Sequence, residues 1–370
     1  MVNISSRLAM TQARRVIVSP NEVGVYHCVS RCVRRAYLCG FDSYSGKNYE
    51  HRRRWVRDRL KELSGLFGVE VFSYAVMSNH LHVVLRTRPD WADSWTNDQV
   101  AERWCRLFRG KEAIRAGRPY DEQKYNQVRN DAARIQLYRD RLKDVSWLMR
   151  CLNESLARRA NAEDRCSGRF WEGRFKCQRL LDRGAILACM AYVDLNPVRA
   201  RLADRLEESE FTSVFDRLMA NRAEKRLGLL GNIERPTSVQ QREIDKELKW
   251  KSEVQWLLPI DGAESPLTGI DEEYYFSLVE WTGKMIRKDK PGFIPAGIAG
   301  VLDRFDLDAA SWAQNVQSYG TLFHRVAGSV DSILSQAKKT GQNWFRGMKS
   351  SQHLYRSKVP VVQSAVSQRQ

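Results

Sequence analysis

Apolar positions near the start of the chain alternate in steps of two. Residues 23–31, V-G-V-Y-H-C-V-S-R, are rich in β-branched and aromatic side chains and predict a strand after the turn-forming Pro20 and Asn21. The spacing then changes. Over residues 49–67, Trp55, Leu60, Leu63 and Leu66 recur at near-helical intervals among Arg52, Arg53, Arg54, Arg57, Arg59 and Lys61, predicting an amphipathic, strongly basic helix closed by Gly68. Residues 69–77 and 81–86 return to strand character about a turn at Ser78 and Asn79.

Residues 91–161 are charged and helical in pattern. Val145, Leu148, Met149, Leu152 and Leu156 form one apolar stripe, so a helical insertion over about 91–143 and one core helix are expected. A further helix starts near Asp182 and runs to Leu195, with Pro197 opposing its continuation. The order β-α-β-β, then helix and a short extended segment, predicts an α+β class, ferredoxin-like antiparallel sheet backed by helices over 16–220, after an N-terminal arm at 1–15. Polar, Pro-containing stretches at 234–243 and 259–268 suggest a linker over 221–269. Helical patterns at 271–287, 300–314 and 322–339, with Pro291 and Pro295 as breakers, suggest a mostly helical C-terminal domain over 270–347 and a disordered tail over 348–370.

Composition adds a partner class. The chain has 370 residues, with 61 Lys and Arg against 44 Asp and Glu, a net charge of +17. Such an excess suits a polyanion, because Lys and Arg displace the counterions condensed on phosphates. Eight cysteines include no C-x-x-C pair, which argues against a zinc ribbon and for reduced thiols. No apolar run reaches the length of a membrane span, so a cytoplasmic, nucleoid-associated protein is expected.

Three short patterns could carry chemistry. In N-H-L-H-V-V-L, strand alternation puts His80 and His82 on one face, where two imidazoles can meet one metal; a half-exposed strand face is the plainer alternative. In Y-V-D-L-N, the i, i+4 spacing aligns Tyr192 with the carboxamide of Asn196, which could equally be a core tyrosine and a helix stop. In G-R-F-W-E-G-R-F-K, the cations Arg169, Arg174 and Lys176 interleave with Phe170, Trp171 and Phe175. That mixture suits phosphates and unpaired bases, or a hairpin whose aromatics pack inward. The run Arg52, Arg53, Arg54 is a weaker candidate, since most charge runs are solvated helix faces.

Taken in order, Y-H-C-V-S-R, M-S-N-H-L-H-V-V-L, G-R-F-W-E-G-R-F-K and Y-V-D-L-N-P-V-R-A resemble the REP-associated tyrosine transposases, of the single-tyrosine HUH superfamily, over residues 16–215. The resemblance implies His80, His82 and Asn196 as ligands of Mg²⁺ or Mn²⁺, Tyr192 as nucleophile, and no nucleotide cofactor. It also implies single-stranded, hairpin or palindromic-repeat DNA as partner, gripped by residues such as those named above and Arg199, with the protein a monomer or homodimer. The long insertion and the region after Phe215 exceed the family's minimal unit. A non-catalytic, domesticated hairpin-binding regulator is the rival reading. An RNA-binding sheet fits less well, since the sheet motif carries histidines where such modules carry paired aromatics. A zinc hydrolase lacks a third ligand.

Overall fold

The computed structural model describes residues 17–33, 37–43, 45–230, 237–287 and 294–355. Strand β1 (Gly24–Arg31) is followed by a small hairpin of β2 (Phe41–Asp42) and β3 (Lys47–Asn48) and by helix α1 (His51–Leu66). Strands β4 (Val69–Val76) and β5 (His80–Thr87) meet at a tight turn in which the Met77 amide donates to the His80 carbonyl at 2.8 Å. The next segment forms helices α2 (Pro89–Ser94), α3 (Asn97–Leu107), α4 (Lys111–Arg115), α5 (Glu122–Arg129) and α6 (Ala132–Leu142), ahead of the core helix α7 (Val145–Glu163). Strand β6 (Lys176–Leu180), helix α8 (Arg183–Asp194) and the four-residue α9 (Asn196–Arg199) complete the first half.

The sheet runs β4-β5-β1-β6 with every neighbour antiparallel, so β4 and β1 flank β5 as a split β-α-β unit. A fifth strand, β7 (Val326–Ala327), joins its edge parallel to β6 and comes from the C-terminal region. The molecule is therefore mixed α and β around a mostly antiparallel five-stranded sheet.

Alternation along the strands sorts side chains onto two faces. Tyr26, Cys28, Leu81, Val83 and Leu85 join a core with α1, α3 and α7. The opposite face, carrying Val25, Phe72 and Val84, is covered by α8 and by apolar residues between Leu258 and Tyr355. Helix α8 is buried over nearly its whole surface because both its sides are occupied.

Several sequence expectations are corrected. The segment read as a linker at 221–269 holds the end of α10 (Ser213–Leu230) and all of α11 (Ser238–Glu253); residues 231–236 lie outside the described set. Helix α11 is polar because its one buried residue is Glu247, paired with Arg226 at 2.9 Å, so no apolar stripe announces it. The C-terminal helices α12 (Glu272–Arg287), α13 (Ala296–Arg304) and α14 (Trp312–Leu322) share a core with α8, while α15 (Val330–Lys339) packs its Ile333 and Ala337 in a small cluster with Val326 and Phe345. The expected helix at 300–314 is split, with Asp306 in the left-handed region at φ 56° between α13 and α14. The expected tail contributes α16 (Met348–Leu354), whose Ser351 Oγ donates to the Gly328 carbonyl at 2.7 Å. The expected arm at 1–15 and the tail beyond Tyr355 lie outside the described residues.

Among the described residues no helix is long and apolar enough to cross a membrane, and none of the eight cysteines is joined in a disulfide.

Candidate active site

Strand β5 begins with the two histidines because the turn at Ser78 and Asn79 sets its register, and alternation sends both toward α8. The His80 and His82 rings meet edge to face with centroids 4.8 Å apart. Asn79 Oδ1 lies 2.7 Å from His80 Nδ1. His82 is buried, at 3% exposure, and among the described residues its Nε2 has no hydrogen-bond partner.

A third histidine completes the cluster. His27, on β1, shares the face of His82 because its register partner is Val84, and His27 Nε2 lies 2.8 Å from His82 Nδ1 with the rings stacked. The sequence places His27 in a strand and within the Y-H-C-V-S-R motif but gives it no role of its own. The signal was available in principle, since two strands with inward histidines at compatible register must bring them together, but the register itself was not.

Tyr192 reaches this cluster from α8. Its ring stands edge-on to His82 and His27, with centroids 5.6 and 6.0 Å away, and is flanked by Tyr319 of α14 at 5.2 Å. The Arg199 guanidinium lies over the Tyr192 ring at 4.4 Å. Gly320 closes the other side: a Cβ there would come within 2.7 Å of the Tyr192 hydroxyl, so the close approach requires glycine.

What holds Tyr192 in place is the neighbouring Asp194, fully buried inside the fold. Its carboxylate accepts from Ser73 Oγ at 3.1 Å, the Val214 amide at 3.2 Å, Tyr275 Oη at 2.5 Å, and Ser213 Oγ. One side chain thus ties α8 to β4, α10 and α12. Burial pushes the Asp194 carboxyl up, against the pull of Arg217 and its hydroxyl donors.

A cleft of about 450 Å³ opens over these residues, lined by His27, His80, His82, Tyr192, Arg174, Lys176, Arg199 and residues of α14. Burial drives the histidines toward their neutral forms. His27 is lowered to about 4 by burial; His80 is lowered to about 4 by burial and then by Arg31 and Arg199; His82 lies well below the usual range for the same reason, with His27 and His80 adding to it. Neutral imidazoles are the ligating form.

The donor set fits a divalent cation at two positions. His82 Nε2 is buried and unpartnered, and the His80 ring stands beside it, so both imidazoles can serve one ion. Asn196 is turned away from this role. Its Nδ2 donates to the carbonyls of Tyr192 at 3.1 Å and Val193 at 3.3 Å, and its Oδ1 accepts from Arg199 at 3.3 Å. Pro197 does not end the helical path but starts α9, where the first turn has no use for its missing N–H. Among the described residues no group of three or more His, Cys, Asp or Glu is disposed to hold a metal.

The expected nucleic-acid grips divide. Arg174, Lys176 and Arg199 line the cleft, and Arg169 is exposed beside it in sequence. Phe170 and Trp171 are buried in the core under α7, where Trp171 Nε1 donates to the Asn153 carbonyl at 2.8 Å, so they are unavailable for stacking bases. Arg52 is buried as well, and its guanidinium is occupied by Glu163, Asp164 and the Tyr37 carbonyl. Arg53 is held by Glu50 and the Val76 carbonyl, while Arg54 lines a different cleft with Arg57 and Trp250. The basic run on α1 is largely structural.

No family model and no curated protein matches the chain. Among solved structures it is similar to one described as a REP-associated tyrosine transposase bound to a REP hairpin, at 12% identity and a TM-score of 0.33, over 55% of this chain and 82% of that one. That likeness is too remote to assign a role to any residue here.

Proposed function

We propose that this chain is a DNA-nicking and DNA-joining transposase that works through Tyr192 and a divalent cation held by His80 and His82. The observation that carries the reading is the edge-on placement of the Tyr192 ring 5.6 Å from His82, whose buried Nε2 has no partner among the described residues, in a cleft rimmed by Arg174, Lys176 and Arg199. Few purely structural arrangements leave such a nitrogen buried and unpaired beside a tyrosine and three cations.

Mg²⁺ or Mn²⁺ bound there would polarise the scissile phosphate and neutralise charge that develops on its oxygens. The chain's own residues do the rest. Arg174, Lys176 and Arg199 bind the phosphates on either side and set the strand across the cleft. Tyr192 Oη, as phenolate, attacks phosphorus; the bond from phosphorus to the 3′ oxygen breaks, and that oxygen takes up a proton to leave as a free 3′-hydroxyl. The product is a 5′-phosphotyrosine. Attack by a 3′-hydroxyl reverses the exchange, reseals a strand and returns the proton to Tyr192. One phosphodiester-type bond replaces another at each step, so no nucleotide cofactor is required.

One observation favours the non-catalytic hairpin binder instead: the Asn196 carboxamide is engaged by Arg199 and by its own helix, leaving two protein ligands facing the cleft. The two readings separate on one experiment. The full chain is incubated with single-stranded, hairpin-forming DNA from the flanks of its own gene, with Mn²⁺ or with EDTA, and run on a denaturing gel. A covalent protein–DNA band that needs Mn²⁺ and is lost in Tyr192→Phe, with hairpin binding retained, is the expected result. An adduct that survives Tyr192→Phe overturns the nucleophile, and tight binding with no adduct in any condition leaves the binder.

A further inference from the structure

A line of polar side chains runs from the C-terminal region to His82, the residue with the unpartnered nitrogen. Gln178 Nε2 donates to the backbone carbonyl of His324 at 3.4 Å. A carbonyl can only accept, so this contact turns the nitrogen of the Gln178 carboxamide toward residue 324 and its oxygen the other way. That oxygen accepts from Tyr319 Oη at 3.1 Å, and Gln178 is the cross-strand register partner of His27, so the two side chains stand on the same face of the sheet.

The consequence passes through His27. One of its ring nitrogens, Nε2, is taken by His82 at 2.8 Å. The other, Nδ1, is the nitrogen left to meet its cross-strand neighbour Gln178, and an amide oxygen there calls for that nitrogen to carry the proton. A buried, neutral imidazole has a single N–H, so with the proton on Nδ1 the Nε2 of His27 is an acceptor. His82 Nδ1 must then be the donor. A neutral His82 protonated on Nδ1 carries its lone pair on Nε2, the buried atom without a partner.

We propose that His27 is a positioning residue that, with Gln178 and Tyr319, locks His82 in the tautomer whose Nε2 is free to bind a cation. The inference rests on the proposed metal role of His82 and adds what sets it. Isolated neutral imidazole favours the opposite tautomer, with the proton on Nε2, so the arrangement needs a partner to impose it. It also gives the C-terminal region a definite part in the site, because Tyr319 belongs to α14 and the carbonyl that orients Gln178 belongs to His324.

The test has two readouts, and neither is activity. Long-range ¹⁵N–¹H correlation spectra of the metal-free full chain report which nitrogen of each imidazole is protonated. His82 is expected to be protonated on Nδ1 in the wild type and to shift toward the Nε2-protonated form in His27→Ala. Mn²⁺ binding measured by calorimetry is expected to weaken about 10- to 100-fold in His27→Ala, as for other groups that orient a metal ligand, and to recover to within a few-fold in His27→Gln, whose carboxamide oxygen can accept from His82 Nδ1. Tyr319→Phe is expected to give a smaller loss of the same sign, since it removes only one hydrogen bond to Gln178. Circular dichroism melting identifies any variant that fails to fold, and the wild-type spectrum stands regardless of the variants. A wild-type His82 protonated on Nε2, or His27→Ala binding Mn²⁺ as tightly as the wild type, overturns the inference. If the wild type binds no Mn²⁺ while His82 is found protonated on Nδ1, the metal reading falls and the hydrogen-bond relay stands.

Discussion

At the scale of single residues, the site is set by which polar atoms have partners and which do not. His82→Ala removes the unpartnered nitrogen and is expected to lower Mn²⁺-dependent cleavage about 100-fold or more, measured as the rate of nicking on a hairpin substrate. Arg174→Ala and Lys176→Ala act on a different property: each is expected to weaken DNA binding uniformly across sequences and to reduce the slope of log K against log salt by about one. Arg52→Ala serves as the contrast, because its guanidinium is already held by Glu163 and Asp164 and its loss falls on stability without changing that slope. The histidines also carry a pH signature. His27 and His80 lie near 4 in the fold, while in the unfolded chain a histidine titrates near 6.5. Between those values the unfolded chain binds protons that these histidines refuse in the native state, so their contribution to the stability of the metal-free protein falls as pH drops from about 6.5 toward 4, while Asp216, raised to about 6 by burial, works in the opposite sense. A melting-temperature difference between the wild type and His80→Gln that is the same at pH 7.5 and pH 5 contradicts this.

At the scale of elements, the sequence was legible wherever one residue's environment follows from its neighbours in the chain. Strand alternation put His80 and His82 on one face, and the helical stripe from Val145 to Leu156 found α7, because both depend only on local periodicity. Asp194 was not legible: it sits in the same motif as Tyr192, but its hydroxyl and amide partners come from β4, α10 and α12, up to 121 positions away in the chain. The inward packing of Phe170 and Trp171 is likewise a tertiary fact, since the same interleaved sequence would serve an exposed hairpin. Helix α11 escaped because it buries a salt-bridged glutamate where a typical surface helix buries leucines. The Asp194 network is expected to dominate the stability of α8. Asp194→Ala strands three hydroxyl groups and an amide in the interior and should cost about 3 kcal/mol or more, measured by denaturant unfolding, with Asp194→Asn less severe because it keeps an acceptor oxygen.

Over the whole molecule, the two halves of the chain behave as one body. The core around α8 draws on residues from both β1 and α16, and β7 completes the sheet from the far end of the sequence. Thermal unfolding is expected to be a single cooperative transition, and a chain cut after residue 269 is expected to lose it, since the apolar face of α8 would lie open to water. Two resolved transitions, or a truncated chain that melts like the intact one, would restore the separate C-terminal domain that the sequence pattern suggests.

The close approach of Gly320 to the Tyr192 hydroxyl has a practical side for anyone shortening or grafting this scaffold. Keeping only the sheet half would discard one wall of the cleft, and grafting that half onto a foreign extension would place an unselected side chain against Tyr192. The sheet half and the C-terminal region must therefore be redesigned together, with position 320 left without a side chain.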